Sequence, residues 1–428
     1  MLRSVATCLA VVASLALVRP APAQARTSAE PFGPETKKAV LQRIGEILSK
    51  NAYVPGVDFG KWPEIVASES QSIEEAKDEA AFTQALNRSL RRLGISHIVL
   101  ATPKAAQARR ERKAIGIGVG LQKESDGLRV INLFPQSPAA EAGIQLGDVI
   151  LEVDGKPATD LAQLSGDEGA QLRLKLRKHD GKTAEVSLVR RAFSTVLPDT
   201  LTWVDGESVV LKVHTFDRGY DRQAIERMMD EAKDAKQLIL DLRGNGGGAV
   251  ANFMHLLAQF LPQNTPVGTF VSRAMVERFV KETQGDPTDL RAIARWSDSK
   301  VKPARTDRKP FAGKVAVLVD RRSGSASEIV AAALQEQLEA PVVGTPSAGA
   351  VLVSVMATLP GGFQLQYPIS DYITMEGVRL EGTGVRPTLE VSPPKFGEPD
   401  VAISKAAALL ERARLREMRF QQASDAKF

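Results

Sequence analysis

Gln237-Leu-Ile-Leu-Asp-Leu-Arg-Gly-Asn-Gly-Gly-Gly-Ala249 decides the fold class. Gln237–Leu242 is nearly continuous in apolar residues, as in a strand buried on both faces, and it runs into a loop with four glycines in five positions. A helix over Ala251–Leu261 follows. The same unit recurs around it. Upstream, a strand over Val209–Phe216 leads to a helix over Asp221–Ala235. Downstream come strands over Pro266–Val271 and Lys314–Val319, a helix over Ser325–Gln337 and a short strand over Val342–Gly344. Strands alternating with helices predict an α/β core over residues 192–395. The polar stretch Gly285–Lys309 reads as a surface excursion, and Asp400–Arg416, within residues 396–428, as a terminal amphipathic helix.

Residues 114–191 have a different character. Glycines alternate with branched apolar residues at Gly116, Gly118 and Gly120. Ser137–Gly143 reads as a short helix closed by glycine, Leu146–Gly155 as turn, strand and turn, and Glu185–Val189 as a closing strand. Residues 26–113 are helical in pattern. Val40, Ile44, Ile47 and Leu48 share one face of a first helix. Phe82, Leu86, Leu90 and Leu93 share one face of a second, read over Ile73–Leu93 and stopped at Gly94. Ile95–Leu100 reads as a strand and Lys104–Lys113 as a basic linker.

At 428 residues, 43% hydrophobic and 25% charged, the chain has the composition of a globular protein of two or three domains. A net charge of +5 without a dense basic block gives no footprint for nucleic acid. Residues 1–25 read as a signal peptide: Arg3, an apolar run over Val5–Val18, then Ala23-Gln-Ala25 as a cleavage site. Export to the periplasm or beyond is therefore expected, with no integral membrane span in the mature chain. Cleavage would also remove Cys8, the single cysteine, and with it disulfide and thiolate chemistry. The histidines (97, 179, 214 and 255) lack the paired spacing of a zinc helix, so no metal and no organic cofactor is expected.

Three segments carry the chemistry. In the glycine loop no Lys-Ser/Thr follows the glycines, so a phosphate loop is excluded; Gly244-x-Gly246-x-x-Ala249 matches a dinucleotide fingerprint only superficially, because no acidic residue ends the next strand. The amides of Gly246 and Gly247 suit an oxyanion hole instead. Asp320-Arg-Arg-Ser-Gly-Ser325-Ala-Ser327-Glu328 stands between strand and helix. Read blandly, Ser325 and Glu328 form a capping box; read chemically, Ser325 is a nucleophile at the positive end of a helix. The third segment is Ser96-His97, with Glu381 and Val385-Arg-Pro387 far along the chain.

The order "SPAAEAGIQLGDVILEVDGK", "LDLRGNGGG", "SGSASEIVAAALQ", "VVGTPSAG" and "EGTGVRP" resembles the C-terminal processing (tail-specific) serine peptidases and their relative, the tricorn protease. The resemblance implies a crotonase-like β/α spiral core, an inserted PDZ domain over 114–191 with its peptide-binding loop at Gly118, Val119, Gly120 and Leu121, and a helical N-terminal domain. It implies Ser325 as nucleophile and Ala326 as a further oxyanion donor. One departure stands out: the family's common lysine base, 25 residues after the nucleophile, is Ala350 here, and no lysine occurs between Lys314 and Lys395. The tricorn-like pattern supplies His97 as base, with Ser96 and Glu381 orienting it. The expected function is cleavage of polypeptides with exposed C-terminal tails. The competing readings are an inactive PDZ scaffold and a binder of hydrophobic ligands.

Overall fold

The computed structural model describes residues 32–394 and 398–425; the expected signal peptide lies outside the described residues. The chain opens with helix α1 (Pro34–Lys50), started by Pro34 and buried along Val40, Ile44, Ile47 and Leu48. The second helix expected from Ile73 is split. A short helix ends at Glu75, and α2 (Glu79–Arg91) begins anew because the Asp78 side chain accepts from the Ala81 N–H at 2.8 Å, the geometry of an N-cap. The expected strand shrinks to β1 (Val99–Ala101). The basic linker is a helix, α3 (Pro103–Glu111), with Thr102 as its cap and Pro103 in its first turn, a start signal present in the sequence.

Next comes a β-module. Strands β2 (Val119–Glu124), β3 (Gly127–Leu133), β4 (Val149–Val153), β5 (Gln171–Arg177) and β6 (Thr183–Val189) form one antiparallel sheet in sequence order. On β5 the pattern Gln-Leu-Arg-Leu-Lys-Leu-Arg sends Leu172, Leu174 and Leu176 inward, against Leu128, Val130 and Ile150. The module is an insertion with a closed neck: Lys113–Gly116 pairs antiparallel with Arg191–Ser194, joining its two ends.

The core sheet has six strands. β7 (Thr200–Trp203) lies antiparallel at one edge, followed by the parallel strands β8 (Ser208–Lys212), β9 (Gln237–Asp241), β11 (Lys314–Val319), β12 (Val342–Gly344) and β15 (Leu389–Glu390). Helices α4 (Arg222–Glu231), α5 (Val250–Leu257) and α6 (Ala326–Leu338) supply apolar residues to the cluster on one face. The terminal helix α7 (Val401–Asp425) seals the other with Ala402, Ala406 and Leu410. Burial on both faces explains the uninterrupted apolar runs.

A second, antiparallel sheet is organised by the long β14 (Gln364–Thr374), which pairs with β1, with β10 (Gly268–Ser272) and with β13 (Val353–Thr358). Through it the N-terminal helices share a core with the later chain: Phe82, Leu86 and Leu90 pack with Leu352, Phe363 and Leu365. The helical region is thus completed by residues almost 270 positions away. The stretch read as a surface excursion also carries structure. It holds a helix over Leu290–Trp296, with Ile293 fully buried against the residues of β10, and Val301 bridges to Gly268. Its apolar residues are few but placed three apart, which suffices to bury one side of two helical turns.

Candidate active site

The parallel strands end on one side of the sheet, and two of the turns there carry the expected chemistry. After β9, Asp241 closes the strand in a bidentate pair with Arg243 (2.9 and 2.7 Å), which also reaches Asp400 at 2.7 Å. After β11, Asp320 accepts from the Gly244 N–H at 2.9 Å, stitching the glycine loop to the serine turn.

Asn245 is the hub between these turns, and sequence reading passed over it. Fully buried, it donates from Nδ2 to the Val213 carbonyl (3.0 Å), while its own carbonyl accepts from the Gly324 N–H (3.0 Å) and the Ser327 hydroxyl (2.8 Å). Its Oδ1 accepts from the Gly247 N–H at 2.9 Å. This corrects the expectation that Gly247 donates to an oxyanion: that amide is engaged within the loop. Gly247 matters for its missing side chain instead. A Cβ there would sit 2.6 Å from the Ser325 Cβ, with φ +94° besides. The neighbouring Gly248 amide is not engaged in this way. Its bridge to Phe216 uses the Gly247 carbonyl and the Ala249 amide, so the Gly248 N–H lies outside that pairing, and Gly248 lines the cleft together with Gly246, Ala326 and Ser325.

Ser325 stands at the N-cap of α6 with φ +55° and ψ −117°. An ordinary N-cap residue is extended; a non-glycine residue held in this region is strained, and such strain collects at functional sites. The capping box is also present, through the Glu328 carboxylate accepting the Ser325 N–H at 3.0 Å. The bland and the chemical readings of this turn therefore coexist. Glu328 does more than cap. Fully buried, it also accepts from the Ser347 hydroxyl (2.6 Å), the Gly349 N–H (2.7 Å) and the Ala350 N–H (2.9 Å). Burial pushes its pKa up, opposed by these hydrogen bonds. The Ala350 carbonyl returns to the Ser325 N–H at 2.7 Å. Position 350 thus lies beside the serine but offers only a methyl group.

His97 lines the same cleft, of about 440 Å³, as Ser325. It is not in the strand expected for it but in the turn before β1, with φ +54°, because its neighbour Ser96 is held elsewhere: both the Ser96 N–H and its hydroxyl donate to Glu381, at 2.9 Å each. Glu381 is fixed in turn by the Val351 N–H at 2.9 Å. With its proton on Glu381, the Ser96 oxygen can only accept from His97 Nδ1, 2.7 Å away. The imidazole is therefore the Nδ1–H tautomer and carries its lone pair on Nε2. Burial, the largest influence, pulls its pKa below the usual 6.5; Arg109 adds to this and Glu381 opposes it. A neutral imidazole at neutral pH is the form a general base requires.

In the β-module, Gly118 takes φ +79°, and a Cβ there would meet Ser137 at 2.2 Å. Val119, Gly120 and Leu121 belong to β2, an edge strand, rather than to the loop. The segment between β4 and β5 holds a two-residue strand, Lys156–Pro157, paired with β4, and a four-residue 3-10 turn, Leu161–Leu164. Among the described residues there is no cluster of three or more metal-ligating side chains, and no helix is long and apolar enough to cross a membrane.

Comparison with known proteins agrees with this layout. Residues 208–391 match the model for peptidase family S41 and residues 116–190 that for the PDZ domain. A carboxy-terminal-processing protease of Bartonella bacilliformis is 26% identical over 384 residues, covering 86% of this chain and 82% of its own. A protein of Staphylococcus haemolyticus described as a CtpA-like serine protease is 24% identical over 290 residues, 66% of this chain; the chain spans 53% of that relative's length. Among solved structures, an S41-assigned protein of Bacteroides fragilis aligns with TM-score 0.53 at 16% identity, covering 86% of this chain and 98% of its own. Mature CPAF aligns with TM-score 0.52 at 16% identity, covering 89% and 98%. The match to peptidase family S41 thus falls on the parallel core and the match to the PDZ domain on the inserted β-module, so the chain is similar in both parts to S41 peptidases that carry a PDZ domain.

Proposed function

We propose that the protein is an exported serine endopeptidase of the C-terminal processing type, cutting polypeptides with Ser325 as nucleophile and His97 as general base. The observation that carries this reading is the hydrogen-bonded chain Glu381–Ser96–His97, which fixes the tautomer and opens on the cleft holding Ser325. His97 Nε2 takes the Ser325 proton as the hydroxyl attacks a peptide carbonyl. The amides of Ala326 and of Gly246 or Gly248 receive the developing oxyanion, and the positive end of α6 adds to that field. The imidazolium then protonates the leaving amine, and water, activated by the same nitrogen, hydrolyses the acyl-enzyme. The PDZ module delivers substrate tails by strand addition on β2, whose outer edge is open.

The test is digestion of an unfolded protein such as casein by the purified chain beside Ser325→Ala and His97→Ala variants, with fragments followed by mass spectrometry. Cleavage abolished in both variants is the expected result. Cleavage that survives His97→Ala but not Ser325→Ala removes the base assignment. A chain that cuts nothing between pH 5 and 9, and whose Ser325 takes up no serine-directed phosphonate, is instead a scaffold on a peptidase fold, for which Ala350 in the family lysine position would then be the reason.

A further inference from the structure

Arg109 hangs from α3 into the cleft between His97 and β13. Its guanidinium lies 4.0 Å from the Met356 sulfur and makes no ion pair among the described residues. Of the side chains lining the cleft, two carry fixed charge. Asp217 stands with the glycine loop on the oxyanion side, and Arg109 stands on the His97 side. The remainder of the wall mixes glycine-loop backbone and polar groups such as Thr215, Ser354 and Gln366 with apolar side chains such as Phe270. A guanidinium exposed at the cleft and without an ion pair offers a carboxylate a bidentate set of donors.

The backbone beside it is also unpartnered. β13 pairs with β14 on one edge only, and its residues Val353, Ser354 and Met356 line the cleft. An extended peptide can add to that open edge. From Val353 to Met356, beside Arg109, the strand advances roughly 10 Å, or three residues. His97 hands its proton to the leaving amine, so the leaving fragment departs on the His97 side, where Arg109 waits.

We propose that Arg109 selects substrates bearing a carboxylate on the leaving fragment, within about three residues of the scissile bond. This inference rests on the peptidase reading above. The carboxylate can come from an Asp or Glu side chain or from the chain terminus itself; a guanidinium binds either in the same bidentate manner.

The experiment uses quenched fluorescent peptides built around a bond cleaved in casein. They are identical except for Glu against Gln at each of the first four positions after that bond, or for a free against an amidated C-terminus. The expected result is a roughly tenfold preference in kcat/KM for a charged member of a pair, collapsing to within about twofold in Arg109→Gln and partly kept in Arg109→Lys. Discrimination confined to the free-acid pair supports the inference with the chain end as source; discrimination at an internal position supports it with a side chain. No discrimination in either set, or a preference that survives Arg109→Gln, overturns it. Binding of the same peptides to Ser325→Ala, measured by fluorescence anisotropy with and without Arg109→Gln, separates the two failures. If wild type turns nothing over, the peptidase reading falls, and equal affinities for charged and neutral members then sink the Arg109 assignment as well.

Discussion

The two halves of the site are built in different ways. Ser325 is held through its own backbone amide, which is tied to the Ala350 carbonyl and the Glu328 carboxylate, with its turn tied to Asn245 and its helix to a fully buried apolar core. His97 is held through its side chain, by one hydroxyl backed by one carboxylate, and its turn is placed by the docking of β1 on β14 across 265 residues. The first half tolerates little because its carboxylate satisfies four donors at once. The second can loosen gradually. A nucleophile has to be rigid, whereas its base has to be correctly protonated and aimed.

The sharpest way to break the comparison is to remove either reacting atom. Ser325→Ala and His97→Ala should each lower kcat by at least about 10³-fold, and the double variant should be no worse than either alone. Additive losses would mean the two residues do not act as a unit. Glu328→Gln comes next. All four partners of Glu328 are donors, so the new amide must point N–H at N–H. A loss of about 3 kcal/mol in unfolding free energy is expected, seen in denaturant titration, together with lost activity. Glu381→Gln should spare the fold and lower kcat by about 10- to 100-fold, since it weakens the aim of the imidazole without removing it. If Glu381→Gln proves the more destabilising of the two, the contrast between the halves is wrong.

The smallest effects are in pH. Because burial depresses the His97 pKa, the acid limb of kcat/KM should have its midpoint below 6.5. Arg109→Gln should move that midpoint up and Glu381→Gln should move it further down, in line with their opposite influences. The same shift has a sign for stability. The unfolded chain binds the His97 proton more readily than the folded one. This contribution is therefore complete above about pH 6.5 and is lost as the pH falls through 6.5 toward the folded-state pKa. His97→Gln should flatten that part of the stability profile.

The core and the insertion were legible because their signals are local. Val342–Gly344 is found where the apolar run places it, and the strand at Lys314–Val319 likewise. The alternation in β5 and the glycine closing the helix after Ser137 fix the β-module without reference to anything distant. The misreadings were local as well but hung on competing chemistry. Asp78 could continue a helix or cap a new one, and the cap prevailed. Thr102-Pro103 signalled a helix that the basic composition of Lys104–Lys113 obscured.

The site divides along the same line. Sequence alone determined the strand–loop–helix units, the serine at a helix start and the glycine loop, because each follows from side chains within about ten residues of one another, and the alanine at position 350 is read directly from the chain. Only the tertiary structure decided that Ser96 and Glu381, 285 residues apart, share a proton and so set the imidazole tautomer. It also decided that Asn245 joins the glycine loop to Val213 and to the serine turn, and that Arg109 reaches the cleft at all. These depend on β1 pairing with β14 and on which amides face inward once the sheet is closed. Hydrogen bonds between distant segments leave no periodicity in the chain that makes them.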